Sequence, residues 1–198
     1  FLTAGSQAFE DFLLFLGEKI ELNGWKGFAG GLDCSPETRT GKHAIYTEFD
    51  QFKFLFHVST YLPYVENDEQ QLERKRHLGN DVVNIIFLDS NANQQLTFDP
   101  TVLQRNLPVR CFNYINDLEK AHIVILISDV FIVVSPDEDM TEATGTQYYK
   151  LGVACHNGVE TFSPRIPGPA SFPKNDSFRA FLLTKSTMLK LILQIYLT

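Results

Sequence analysis

The chain has 198 residues, 44% hydrophobic and 21% charged, with 17 Lys+Arg against 24 Asp+Glu for a formal charge of -7. These values suit a globular domain with a sizeable core and exclude a collagen-like, coiled-coil or mostly disordered chain. The acidic balance argues against nucleic acid as the main partner, and no run of about 18 apolar residues is present to span a bilayer.

In chain order, Phe9, Phe12, Leu13 and Leu16 recur at i, i+3, i+4 and i+7 and predict a helix, with Ser6 as N-cap and Gly17 as stop. Gly24, Gly27, Gly30 and Gly31, followed by Leu32-Asp33, predict a turn or a close backbone approach. Phe52, Phe54, Phe56 and Val58 alternate with Lys53 and His57 as a strand does, and Pro63 closes the segment. Glu66 opens a polar helix running through His77, with Gly79 as its end. The run Val82 to Leu88 reads as a buried strand.

Ile123 to Ile127 and Val130 to Val134 are short, β-branched and strand-like, and Tyr148 to Ala154 is a third candidate. Pro164, Pro167, Pro169 and Pro173 mark a loop from Phe162 to Lys174. Phe178, Phe181, Leu182, Leu189, Ile192, Leu193 and Tyr196 share one face of a terminal helix. Helices interleaved with strands predict one α/β domain with a mixed central sheet flanked by helices. The cysteines Cys34, Cys111 and Cys155 are odd in number and widely spaced. They predict neither a disulfide framework nor a metal centre, and fit a reducing, cytoplasmic setting.

The densest cluster of chemistry is Arg74-Lys75-Arg76-His77-Leu78-Gly79-Asn80-Asp81. Two readings stand side by side. Cations in the last turn of a helix complement its dipole, and Gly and Asn tolerate the left-handed turn beyond it. Alternatively, a carboxamide carries an acceptor and two donors on a short stem, so it can hold a water while facing an anion. It is a positioning group, neither nucleophile nor general base. A basic cluster beside it suits a phosphate or an acidic partner surface. Asp33 is a lone carboxylate and is read as a turn residue before a magnesium ligand; His57 is read as a structural histidine. No GxxxxGK[ST] loop occurs, so the chain is not expected to bind nucleotide by itself.

At these residues the sequence resembles the GTPase-activating domain of the Rap/Ran-GAP family, which includes the Rap GTPase-activating proteins, the signal-induced proliferation-associated proteins and tuberin. The stretches that carry the resemblance are Phe12 to Gly17, Trp25 to Asp33, Phe56 to Tyr64, Gln70 to Val83, Phe131 to Val134 and Phe181 to Lys185. The Leu62-Pro63-Tyr64 and Gln70-Gln71-Leu72 wording is similar to the Rap-directed branch more than to tuberin.

The resemblance implies a Rap-GAP catalytic-domain-like fold over 1–198 and an activator of a Rap-like small GTPase in its GTP-bound state. It implies an "asparagine thumb" at Asn80 that orients the hydrolytic water, with His77 and Arg76 in support. Arg74 and Lys75 would contact the partner, which itself carries the GTP and magnesium. Tyr64, beside the Pro63 turn just before the basic helix, is read from its position either as a partner contact or as a core or loop packing residue. A cytoplasmic protein, recruited to membranes through regions outside this chain, is the expected setting. Two departures accompany it. The chain starts just before the first helix, where family domains carry a further segment, and so reads as a fragment with an incomplete N-terminus. An atypical insertion falls around 105–127. These departures keep open a non-catalytic module that binds a GTPase or a scaffold.

Overall fold

The computed structural model describes residues 5–68, 71–79, 83–89, 130–155 and 170–196, with the side chains of 73, 75, 79, 130, 131, 153–155 and 188–196 left aside. The first element is α1 (Gln7–Leu16), where the Ser6 hydroxyl accepts from the Phe9 N–H at 3.1 Å and the Gly17 N–H closes the last turn on Leu13 O. An antiparallel sheet follows, made of β1 (Glu18–Glu21), β2 (His43–Phe49) and β3 (Phe52–Phe56) in that order. Next come α2 (Leu72–Gly79) and β4 (Val83–Phe87). After β5 (Val130–Pro136), α3 (Glu138–Thr144), β6 (Tyr148–Cys155) and β7 (Ala170–Pro173), the chain closes with α4 (Asp176–Tyr196). The second sheet has the order β4-β5-β6-β7; its β4–β5 pair is parallel and the other two pairs are antiparallel.

The apolar stripe of α1 explains how the two sheets are joined. Phe9, Phe12, Leu13 and Leu16 are buried together with Ile45 of β2, Phe87 of β4, Ile132 and Val134 of β5, Tyr149 and Leu151 of β6, and Phe178 and Leu182 of α4. The Phe12 ring lies 5.2 Å from that of Phe87 and meets Tyr149 edge-on at 5.4 Å. Each such pair adds about 0.5–1.5 kcal/mol beyond its area. Alternation along β2 sends Ala44 and Tyr46 the other way, into a second cluster with Ile20, Leu22, Leu32, Leu62 and Leu78. Leu78 is the apolar residue that seats α2 on this side.

Backbone proximity fixes the exit from α1. A Cβ at Gly17 would come within 2.4 Å of Tyr46 O, so only glycine lets the chain cross β2 here. Arg179 of α4 donates to Leu16 O at 3.0 Å and also to the Thr47 hydroxyl, tying α4 to α1 and β2. Among the described residues, no helix is long and apolar enough to cross a membrane.

The α/β class and the mixed sheet agree with the sequence reading, and the antiparallel sheet is an addition to it. Four details differ. The α2 helix begins at Leu72, later than the charge pattern suggests, because Gln71 takes a left-handed φ of 50° and interrupts the helical path. The Pro-rich loop contains β7, which pairs only with β6 among the described strands; at such an edge Pro173 is tolerated because one row of N–H groups is not needed. Strands β1 and β2 were not anticipated. Nor was α3, which buries none of its residues and is held by its cap. The expected strand at 123–127 and the insertion at 105–127 lie outside the described residues.

The cap of α3 is Asp137, buried to 1% exposure. Its carboxylate accepts from the Met140 N–H at 3.3 Å and from the Ser171 hydroxyl, with Lys150 Nζ 3.3 Å away. Burial alone would raise this carboxyl, but the bonds from Ser171 and Met140 and the Lys150 ammonium outweigh it and hold it below its ordinary range. A lowered folded-state value means stability that is present above the unfolded value, about pH 4, and lost as pH falls through the folded one. Asp137→Asn is therefore expected to flatten the acid side of a stability-versus-pH curve below about pH 4. A slope unchanged from wild type would remove this carboxylate from the account.

Tyr149 is fully buried in the aromatic core and its hydroxyl has no hydrogen-bond partner among the described residues. Burial, with the Asp11 charge nearby, pushes the phenol up to about 12. Removing an unpaired buried hydroxyl while keeping the ring saves a desolvation cost of about 1–3 kcal/mol. Tyr149→Phe is expected to raise the urea midpoint with an unchanged slope; a lower midpoint would show that the hydroxyl is paired in solution.

Candidate functional site

The segment before α2 is wound tightly. The Asp68 N–H donates to Val65 O at 3.1 Å, and the Gln71 N–H donates to Asp68 O at 3.0 Å. The Asp68 carboxylate accepts from the Leu72 N–H at 2.7 Å, capping the helix. Gln71 is buried and its amide works in both directions. Its oxygen accepts from the Val65 N–H at 3.1 Å, and its nitrogen donates to Val65 O at 2.6 Å and Asp68 O at 2.5 Å.

From this start, α2 presents two faces. Gln71, Arg74 and Leu78, spaced i, i+3 and i+7, are buried. Leu72 and Arg76, spaced i and i+4, are exposed. Arg74 is only 4% exposed and donates to Leu62 O at 3.1 Å. Desolvation pulls its guanidinium down from its ordinary value, opposed by neighbouring Tyr64. The resemblance ranks Arg74 with the partner-docking cations; the fold instead turns it inward as an anchor of α2. Arg76 points outward, His77 is half-buried and Tyr64 is exposed. The side chain of Lys75 and the whole of Asn80 lie outside the described residues.

His57 joins three segments. Its Nδ1 lies 3.1 Å from His77 O and its Nε2 lies 3.0 Å from Gly30 O. A neutral imidazole has one N–H and donates to one of these oxygens; the imidazolium donates to both. The two histidine rings also meet edge-on at 6.1 Å. Gly30 has a φ of 56° and reaches this position because it has no side chain. The Gly-rich loop, the end of β3 and the last turn of α2 are thus linked through one ring. That is a structural role, as the sequence reading holds. Asp33 likewise serves a turn: its oxygens accept from the Ser35 and Arg39 N–H groups, each at 2.9 Å, which hold its carboxyl below its ordinary value. Among the described residues, no group of His, Cys, Asp and Glu is arranged to hold a metal ion.

Gln71 and His57 are the contributors that motif reading left without a site role. Neither has a periodic signal; each shows its part only when its backbone partners, distant in sequence or turned by a loop, are brought next to it. The arrangement leaves an exposed cation on a helix that is fixed along its inner face and joined to its surroundings at its final turn. Gln71→Ala would leave Val65 polar groups without their amide partner and is expected to cost about 1–3 kcal/mol in urea unfolding. A loss below about 0.5 kcal/mol would mean that water substitutes for the amide.

Residues 2–194 match the family model described as Rap/ran-GAP. A GTPase-activating protein of Dictyostelium discoideum is 37% identical over 181 residues, which is 91% of this chain and 15% of that protein. Signal-induced proliferation-associated 1-like protein 2 of Mus musculus is 38% identical over 183 residues, 92% of this chain and 9% of that protein. The chain thus spans a small part of the length of these relatives. Among solved structures, that of the TSC2 GAP domain aligns with a TM-score of 0.68 over 97% of this chain and 87% of that one, at 23% identity. The fold is shared with it.

Proposed function

The chain belongs to the Rap/ran-GAP family, and we propose that it accelerates GTP hydrolysis on a Rap-like small GTPase in its GTP-bound state. Asn80 is the residue that enters the partner's nucleotide site and orients the attacking water. His77 and Arg76 support it. Lys75 and Tyr64 contact the partner, and Arg74 fixes the helix that presents them all. GTP and magnesium are carried by the partner.

The observation that carries this reading is the division of α2 into a buried anchoring face and an exposed face bearing Arg76. Asn80 lies four residues beyond Arg76 in the sequence, directly after the last residue of α2. Its carboxamide is neutral, so it enters an anionic site without charge repulsion, and it offers both an acceptor and donors to the water and the phosphate. Activators of small GTPases supply up to roughly 10⁵ in rate, about 7 kcal/mol of barrier. Positioning and preorganised polarity can deliver much of that with no covalent step. The exposed Arg76 adds positive charge near the partner's phosphates, which favours association as well as chemistry.

Single-turnover GTP hydrolysis on a panel of Rap, Ral, Rheb and Ras proteins tests the proposal. The wild-type chain is expected to accelerate a Rap protein most, and Asn80→Ala to remove most of that acceleration while binding is retained. Equal rates for the two chains would replace the catalytic reading with that of a binding module. Arg76→Ala is expected to lower the saturated rate; weaker association with an unchanged saturated rate would reassign Arg76 to docking.

A further inference from the structure

His57, just beyond β3, presents both ring nitrogens to carbonyl oxygens, Nδ1 at 3.1 Å from His77 O and Nε2 at 3.0 Å from Gly30 O. A carbonyl oxygen only accepts, so each contact requires an N–H on the ring. The neutral ring has one N–H. Whichever tautomer it takes, its other nitrogen sets a lone pair against an oxygen at hydrogen-bond distance. The imidazolium satisfies both contacts at once.

Both oxygens suit a cation. His77 lies in the last turn of α2, where the final carbonyls of a helix have no partner within it and carry the negative end of its dipole. Gly30 reaches the ring at a φ of 56°, in a place where a Cβ would crowd the Leu55 side chain at 3.0 Å. Hydrogen bonds from a charged donor are roughly twice as strong as neutral ones. Among the described contacts, the titratable group that meets the ring is His77, edge-on at 6.1 Å, which opposes a charge on His57 when it is itself protonated. On the same helix, Arg74 is turned to Leu62 O and Arg76 is exposed. In the loop, Lys26 is exposed and the Asp33 carboxylate accepts from the Ser35 and Arg39 N–H groups. On β3, Lys53 is exposed beside Glu48.

We propose that His57 is a pH-sensitive clamp: its imidazolium holds the Gly-rich loop and the last turn of α2 together, and loss of its proton releases one of the two. Two accepting oxygens favour the charged ring, so it keeps its proton to a higher pH in the folded chain than the unfolded value of about 6.5. The stability it contributes is then fully present below about pH 6.5 and is lost as pH rises through the folded value. A consequence for rate rests on the catalytic reading above. The turn that bears Arg76 and His77 is held best on the acid side of the transition, so acceleration of GTP hydrolysis falls as pH rises. Histidine is the side chain that titrates across this physiological window.

The first readout needs only the wild-type chain. NMR of the histidine-labelled protein, with His57 assigned through its backbone, follows both ring nitrogens from about pH 6 to 9. Both are expected to carry a proton at about pH 7, and one to lose it at higher pH. A His57 that is neutral at about pH 7, with a single protonated nitrogen, overturns the proposal. The second readout compares urea midpoints of wild type and His57→Gln, whose amide has no proton to lose in this range. The gap between them is expected to narrow as pH rises; a constant gap overturns the proposal.

Single-turnover GTP hydrolysis, with the activator saturating and the rate of the GTPase alone subtracted at each pH, reads the consequence. The wild-type rate is expected to fall about threefold to tenfold across the His57 titration, the worth of roughly one net hydrogen bond, while His57→Gln shows no such step. The same step in both chains, or in neither, overturns the control of rate by His57. A chain that accelerates no GTPase of the panel sinks the catalytic reading, and the ring titration and the urea gap then still decide the clamp.

Discussion

An eight-residue helix cannot hold itself in water, because nucleation costs more than so few hydrogen bonds return. Everything that α2 does depends on its being held by other parts of the chain. A buried guanidinium on Leu62 O, a buried amide on Val65 and an apolar contact at Leu78 supply that hold along one side. At the last turn, His57 ties the His77 carbonyl to the end of β3. Two of these four ties are polar groups removed from water, which are costly unless their partners are well placed. Their worth lies in direction: a buried hydrogen bond fixes an angle in a way that an apolar contact does not.

The two cores divide the labour. The larger one, built around α1, welds the antiparallel sheet to the mixed sheet through aromatic packing. The smaller one lies on the opposite side of β2 and seats α2. Because the strand alternates, Ile45 serves one core while Ala44 and Tyr46 serve the other. The candidate site therefore rests on a surface whose far side is the larger of the two cores. A helix standing on such a base has little room to shift, as a positioning role requires, since errors of about 1 Å matter in catalysis.

Much of this was legible in the letters. The apolar stripe of α1 and its serine cap announced themselves, as did the buried runs that became β4, β5 and β6. The missed elements share physical reasons. β1 has one apolar inward residue, Ile20, among three charged ones, too little for a pattern. β2 is covered on both faces, so its alternation is erased. α3 has no apolar face at all and is held by one carboxylate. At the site, the basic motif showed which residues were present but not which way each pointed. The left-handed Gln71 sets the phase of α2, and that phase sends Arg74 inward and Arg76 outward. A single backbone angle is invisible to a reading by residue type.

The parallel pairing of β4 with β5 aligns Val83 with Val130 and Phe87 with Val134. Parallel neighbours require a return circuit between them, and 42 residues, 88 to 129, separate these two strands in the sequence. The entropy of closing such a circuit grows only with the logarithm of its length, so doubling it costs roughly 0.6 kcal/mol. Evolution could lengthen or shorten that excursion at small thermodynamic expense. The α2 helix precedes the circuit and is anchored on the other sheet, so its register would be spared such growth.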